Sequence, residues 1–234
     1  EDLDGEFSLL KQMVDASGRP MSISLAQGLS PHGWRKVLGK IEQASDSGLV
    51  MRGQVAPRPI GILLGLTTTL APFTTRPSFT ELSRLPLMER CAALADPARK
   101  AKILAEETGR GFARLYNLMD EGRKIWLMSD PPNYEPDPKD SLYAQAMQGG
   151  LDPWSYIYDV LLQNNGTNLL YTPFANYAED NLDCCRDMIL HKDTVMGLGD
   201  GGAHVGTICD ASFITTLITH WGRDRTRGEG IDLP

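Results

Sequence analysis

The sequence predicts a mixed α/β protein in which helices alternate with short parallel strands. Apolar residues recur at helical spacing in several segments, and short runs typical of strands lie between them. Glycine, proline and aspartate stand at many of the boundaries, where they end or cap the elements.

Composition and charge narrow the class of protein. The chain has 234 residues, of which 41% are hydrophobic and 23% are charged, as in an average globular protein with an ample core. The net charge of −7 and the lack of a basic stripe argue against nucleic-acid binding. No apolar run approaches the roughly 20 residues that a membrane span requires. Four cysteines without a CxxC pair favour free thiols and a cytoplasmic location.

The first quarter of the chain predicts a βαβ unit. Residues 6–16 place apolar side chains near helical spacing, and Gly18 is expected to end this helix. Residues 20–25 alternate like a strand, residues 34–48 carry a second helical face, and residues 49–55 have the character of a second strand. A helix between two strands implies that the strands are parallel.

The rest of the chain continues the alternation. Two predicted helices begin with Asp followed by Pro, at Asp96 and Asp152, because Asp caps a helix N-terminus and Pro is tolerated in the first turn. The remaining predicted elements are partly helical residues 79–95, helix 97–115, strand 125–128, an irregular proline-rich loop at 130–140, helix 153–162, helix 179–190, strand 195–199 and helix 211–220. A closed barrel of about eight strands needs about 250 residues. With about half that number of strands, the sequence predicts half of a barrel with long loops, or an open α/β sheet.

One segment, residues 195–206, concentrates the candidate chemistry. A short apolar strand ends in the carboxylate of Asp200, two glycines follow, and His204 lies four residues further on. Ligand and metal sites of parallel sheets lie beyond the carboxyl ends of the strands. A carboxylate there can ligate a metal or act as a base on a metal-bound water. The alternative is a tight turn in which Asp200 bonds loop amides.

Arg58 is a second candidate, for substrate binding. It stands between Pro57 and Pro59, and its guanidinium can hold a substrate carboxylate through two hydrogen bonds. The alternative is a surface arginine in a rigid loop.

The run Gly197-Leu198-Gly199-Asp200-Gly201-Gly202-Ala203-His204-Val205 resembles the last barrel strand of the amidohydrolase superfamily, in the branch of N-acyl-D-amino-acid deacylases (D-aminoacylases). Weaker similarity covers nearly the whole chain, through residues 17–24, 41–44, 48–49, 54–59, 152–162 and 188–192. The resemblance implies that residues 1–234 are the C-terminal half of a metal-bearing (β/α)8 TIM barrel, with long helical insertions and without the family's β-sandwich segments. The helical and proline-rich insertion would span about 79–150. The first residue, Glu1, is not Met, and we expect the chain to be a piece of a longer protein.

The resemblance also implies an activity, the hydrolysis of a C–N (amide) bond in an N-acyl-D-amino acid. Zinc or another divalent metal would activate the attacking water. Asp200 would contact the metal and transfer the proton, and His204 is the second catalytic candidate. The implied partner is a small molecule, with no nucleic acid and no membrane, and unpaired strand edges predict self-association of this chain.

The sequence departs from the family pattern in its metal ligands. The first-strand His-x-His does not occur, and Leu25 takes the position of a usual metal-binding His. Leucine offers no lone pair to zinc. The next strand end has Gln54 and Val55 in place of another His. Two alternatives stay open: a barrel that has lost its metal ligands and binds a small ligand without catalysis, and a hydrolase of a cyclic amide or imide.

Overall fold

The computed structural model describes residues 2–28, 30–107, 119, 122–199, 206–208 and 212–232. They form a mixed α/β fold, as the sequence predicts, and the chain divides into two compact units. The first unit comprises Glu1–Ile60, Ala175–Gly202 and Asp210–Pro234, and the second comprises Gly61–Phe174 and Ala203–Cys209. The insertion predicted at about 79–150 lies within the second unit. Within the described residues, no helix has both the length and the hydropathy that crossing a bilayer requires.

Helices and short strands follow one another along the described part of the chain. In chain order they are α1 (Leu3–Ser17), β1 (Met21–Leu25), α2 (Gly33–Asp46), β2 (Met51–Val55), β3 (Ile60–Leu64), α3 (Pro77–Thr80), α4 (Leu87–Leu94), α5 (Pro97–Ala105), β4 (Trp126–Leu127), a 3-10 turn (Pro138–Asp140), α6 (Leu142–Gln148), α7 (Pro153–Gly166), β5 (Leu170–Ala175), α8 (Asp183–Ile189), β6 (Thr194–Met196), α9 (Phe213–Thr216) and a π-helical segment (Leu217–Asp224).

The first unit contains a three-stranded parallel sheet in the order β1-β2-β6. Met21 pairs with Met51 at one end of the register, and Gly53 pairs with Thr194. The predicted βαβ unit is therefore confirmed. Since all three strands run in the same direction, their carboxyl ends lie at one edge of the sheet.

Helices α1 and α2 cover one face of this sheet. Phe7 and Val14 of α1 form an apolar cluster with Ile41 and Ala44 of α2 and Met51 of β2. The cluster fixes the two helices against the strands, because burying each large apolar side chain contributes about 1.5–3 kcal/mol.

Leu25 lies on the same covered face of the sheet and is almost completely buried. A Cβ atom built on Gly53 would come within 2.9 Å of Leu25 Cδ2 and 3.4 Å of Ile41 Cδ1. Glycine is therefore required at position 53, because the Leu25 side chain fills the space between β2 and α2. The opposite face of β1 carries Ser22 and Ser24, both exposed.

The second unit contains a three-stranded sheet in the order β3-β5-β4. The strand predicted at 125–128 is confirmed as β4, but it pairs antiparallel to β5, with Trp126 opposite Tyr171. The expectation that the strands form one parallel sheet is therefore wrong for β4, because its partner β5 is a strand that was not predicted from the sequence. The described strands form two small sheets, and the TIM barrel implied by the resemblance is not shown.

The core of the second unit is built around α7. Phe73, Leu94 and Ile103 pack with Ile157 and Tyr158 in one large apolar cluster. The hydroxyl of Tyr158 donates to the carbonyl oxygen of Leu94 at 2.9 Å, and burial raises the pKa of Tyr158 to about 12. The phenol therefore stays neutral inside the core.

The predicted helix boundaries hold best where a cap is present. Gly18 ends α1 in the left-handed conformation with φ 60°, and the Asp96 and Asp152 side chains accept from the N–H groups of Ala98 and Ser155. Three other elements have different bounds from those predicted. The helix predicted at 179–190 is α8 (Asp183–Ile189), and the strand predicted at 195–199 is β6 (Thr194–Met196). The helix predicted at 211–220 corresponds to α9 and the π-helical segment, and residue 211 lies outside the described residues.

Helix α5 ends ten residues before the predicted end. Glu106 is extended, with φ −71° and ψ 139°. Its carboxylate accepts from the backbone N–H and the hydroxyl of Ser78 at 3.0 and 2.5 Å. These bonds draw the chain out of the helix after Ala105, and residues 108–115 lie outside the described residues.

We predict that Leu25→Ala lowers the free energy of unfolding by about 2–5 kcal/mol, the range for a buried Leu side chain that leaves a cavity. Leu9→Ala is the matched control, because Leu9 is 58% exposed, and we expect it to change stability by about 0.5 kcal/mol or less. Urea denaturation followed by circular dichroism measures both. Equal losses in the two variants would contradict the placement of Leu25 in the core.

Candidate functional site

The carboxyl edge of the parallel sheet brings together three chain segments. Residues 26–28 follow β1, residues 56–59 follow β2 and residues 197–199 follow β6. The N–H groups of Gly197 and Leu198 donate to the carbonyl oxygen of Val55 at 3.1 and 3.4 Å. These bonds hold the segment after β6 against the end of β2.

The two catalytic candidates of the sequence follow this segment. Asp200 and His204 both lie outside the described residues, and so does the metal contact predicted for Asp200. Their roles stay predictions.

Gln27, two residues after β1, is fully buried and connects several segments. Its side-chain Nε2 donates to the carbonyl oxygen of Pro31 at 3.1 Å and to Glu179 Oε2 at 2.9 Å. Its Oε1 accepts from the N–H of Ala178 at 2.8 Å. One amide side chain therefore fixes the loop after β1 against the loop after β5, because each of its polar atoms has a partner.

Asn176 completes this network and leaves one group open. Its N–H donates to the carbonyl oxygen of Gln27 at 2.7 Å, and its Oδ1 accepts from the N–H of Gln27 at 2.8 Å. The residue is fully buried in the left-handed conformation, with φ 62°, which Asn tolerates better than most residues. Its Nδ2 has no hydrogen-bond partner among the described residues. A buried donor without an acceptor costs about 1–3 kcal/mol, so this Nδ2 is a candidate contact for a ligand oxygen.

Arg58 is completely buried, so the alternative of a surface arginine is wrong. Its Nη2 donates to Ser212 Oγ at 3.1 Å, and its guanidinium carbon lies 4.4 Å from the centre of the Phe213 ring. Beside it, Trp221 Nε1 donates to the carbonyl oxygen of Pro57 at 2.5 Å. In this structure Arg58 joins the loop after β2 to α9. The grip on a substrate carboxylate stays a prediction.

The residues at the predicted ligand positions do not supply zinc donors. Leu25 faces α2, and Gln54 offers only an amide. Other described polar groups near the strand ends are the amides of Gln27 and Asn176 and the carboxylate of Glu179. Catalytic zinc takes three ligands from His, Glu, Asp and Cys. Among the described residues, no group of three or more His, Cys, Asp or Glu could hold a metal ion, so the described groups of this edge do not make a zinc centre without further ligands.

Comparisons with known proteins leave the family open. No protein-family model matches the chain, and no curated protein or solved structure matches it significantly. The resemblance to D-aminoacylases therefore rests on the sequence segments alone.

The pairing of Gln27 with Asn176 was not predicted from the sequence. The two residues lie 149 positions apart, so no local pattern connects them. A partial signal was present in β5, where Tyr171 and Thr172 favour a strand before Pro173 interrupts the run. Recognising that strand would have placed Asn176 at a strand end, where ligand sites of α/β proteins lie.

We predict that Gln27→Ala lowers the free energy of unfolding by about 2–4 kcal/mol, because it removes the hydrogen bonds of this fully buried amide to Pro31, Ala178 and Glu179 and leaves a cavity. Gln12→Ala is the matched control, since Gln12 is exposed on α1, and we expect a change of about 0.5 kcal/mol or less. Chemical denaturation measures both variants. A neutral Gln27→Ala would show that this network contributes nothing to stability.

Proposed function

We propose that this chain is part of a hydrolase of C–N bonds that acts on an N-acyl-D-amino acid. The main support is the parallel sheet β1-β2-β6, whose carboxyl edge collects buried polar groups, together with the Asp200 sequence that follows β6. We also propose that this sheet belongs to a (β/α)8 barrel, because parallel strands connected through helices are the building unit of that fold.

Asp200 is the residue that moves the proton in this proposal. Its carboxylate takes a proton from the attacking water while the water oxygen bonds to the amide carbon. The amide C–N bond then breaks, and Asp200 gives the proton to the leaving amine nitrogen, so that the products are a carboxylic acid and a D-amino acid. His204, four residues on, is the second proton-transferring candidate.

The described residues of the edge have a supporting role. Arg58 positions the segment that contains Ser212, and the Gln27–Asn176 pair positions the loops after β1 and β5. We place the protein in the cytoplasm, and the free thiols of Cys91, Cys184 and Cys185 agree with a reducing compartment.

The second candidate function is binding of a small ligand without hydrolysis. The donor set of the edge favours it, because the open Nδ2 of Asn176 can bind a ligand oxygen, whereas the described groups do not fit a zinc centre. Hydrolysis of a cyclic amide or imide is a variant of the first proposal and differs only in the substrate.

We predict that Asp200→Asn lowers kcat for an N-acyl-D-amino acid about 10²–10⁴-fold in the complete natural protein, because the amide cannot accept a proton. Asp15→Asn is the control, since Asp15 is exposed on α1, and it should retain the wild-type kcat. Steady-state release of the free amino acid measures both. Activity of Asp200→Asn within a few-fold of wild type would remove Asp200 from the mechanism.

A substrate panel separates the alternatives. N-acetyl-D-methionine, its L-enantiomer and a hydantoin are each supplied to the protein with added Zn²⁺, and both hydrolysis and binding are followed. Cleavage of the D-substrate supports the proposal, and preferred cleavage of the hydantoin supports the cyclic variant. Saturable binding without cleavage of any of the three supports the second candidate.

A further inference from the structure

A cavity of about 340 Å³ is formed within the second unit. It is lined by residues 65–69, Ala71 and Thr74 from the segment after β3, by Phe79 and Thr80 of α3, by Ser83, and by Arg90 of α4. Its volume is in the range of small-molecule sites. Among the described residues that line it, Arg90 is the only charged one.

Arg90 has no partner for its guanidinium within the described part of the chain. Its Nε is buried and donates no hydrogen bond there. A buried guanidinium N–H without an acceptor is costly, because charged donors lose more on desolvation than neutral ones. An acceptor for this N–H therefore has to come from outside the described residues, and a bound ligand can supply it.

The loop opposite Arg90 supplies further donors. The sequence Thr67-Thr68-Thr69 gives three hydroxyls, of which only that of Thr68 bonds within the described residues, to the carbonyl oxygens of Leu70 and Gly65 at 2.6 and 3.3 Å. The backbone N–H groups of Thr67 and Thr68 find no acceptor in the described ranges, whereas that of Thr69 donates to the carbonyl oxygen of Gly206 at 3.1 Å. Backbone N–H groups without an acceptor in a loop can bind an anion where they converge on it.

We propose that this cavity binds a small monocarboxylate through Arg90 and the Thr67–Thr69 loop. The guanidinium fork matches the two oxygens of a carboxylate, and the loop hydroxyls and N–H groups supply the remaining hydrogen bonds. One positive charge in the lining matches one negative charge on the ligand, so a monoanion is favoured over a phosphate dianion. Arg90 and the Thr67–Thr69 loop have no role in the proposed hydrolysis, so binding at this cavity is tested separately from the proposed function.

Amide chemical shifts of Thr67, Thr68 and Thr69 in the complete protein measure the binding. Sodium acetate and N-acetylglycine are titrated separately against sodium chloride at constant ionic strength. We expect saturable shifts at these three amides with either carboxylate and none with chloride. A lack of saturable shifts would overturn the proposal.

Variants of Arg90 test the guanidinium. We expect Arg90→Gln to weaken binding by about tenfold or more and Arg90→Lys to weaken it less, since the ammonium retains the charge but not the fork. Arg84→Gln is the matched control, because Arg84 is exposed and does not line the cavity, and its affinity should equal that of wild type. Equal affinities of Arg90→Gln and wild type would overturn the proposal.

A second variant and a second anion complete the test. If circular dichroism shows that Arg90→Gln does not fold, Thr67→Val is tested in its place. Thr67 is exposed, so its hydroxyl can be removed without disturbing the core. Unchanged affinity of a folded Thr67→Val would then overturn the role of the loop. Inorganic phosphate is titrated in the same way, and tighter binding of phosphate than of acetate would overturn the assignment to a carboxylate.

Discussion

Parallel pairing of β1, β2 and β6 is the constraint on which the first unit depends. A parallel partner cannot be reached through a tight turn, so the chain must cross over through other elements before each new strand. Helix α2 provides this connection between β1 and β2, and its apolar face then covers the strands. The shared direction of the strands also places the segments that carry Gln27 and Arg58 at the same edge. The position of the candidate site therefore depends on the direction of the strands more than on any single side chain.

Local sequence patterns predicted the helices and strands that are determined by interactions between residues close in sequence. The capped helices and the βαβ unit are of this kind. Strands β3 and β5 were missed because their local signals are poor: Gly61 weakens β3, and Pro173 interrupts β5. A Cβ on Gly61 would come within 2.1 Å of Tyr171 Cε2. Gly61 therefore weakens the strand signal of β3 and also allows the Tyr171 ring of β5 to pack against β3. The two residues are about a hundred positions apart, so no local sequence pattern predicts this contact.

The candidate site also combines features that local sequence predicts with features that depend on long-range contacts. The strand ends were predictable, and the burial of polar groups there was not, because Gln27 and Asn176 are joined only in three dimensions. For Leu25, in contrast, the sequence already indicated which face of β1 the side chain occupies. Side chains alternate between the two faces of a strand, so Leu25 must share a face with Met21 and Ile23. Their apolar character already indicates the covered face, and a residue on that face cannot reach a ligand on the other.

The face of β1 opposite α1 and α2 supports the proposed barrel. Parallel sheets are normally covered on both faces, and α1 and α2 supply one cover. On the other face Ser22 and Ser24 are exposed, and Gln54 of β2 is half-buried. The small polar side chains of β1 give a second helix layer no apolar stripe along this strand, and on the same face of β6 only Val195 is apolar among the paired residues. Small polar side chains suit the lumen of a barrel close to its carboxyl end, where a polar substrate replaces the packed core. The distribution of serine and leucine along β1 is therefore a physical argument for the barrel that is independent of the resemblance of the Asp200 segment.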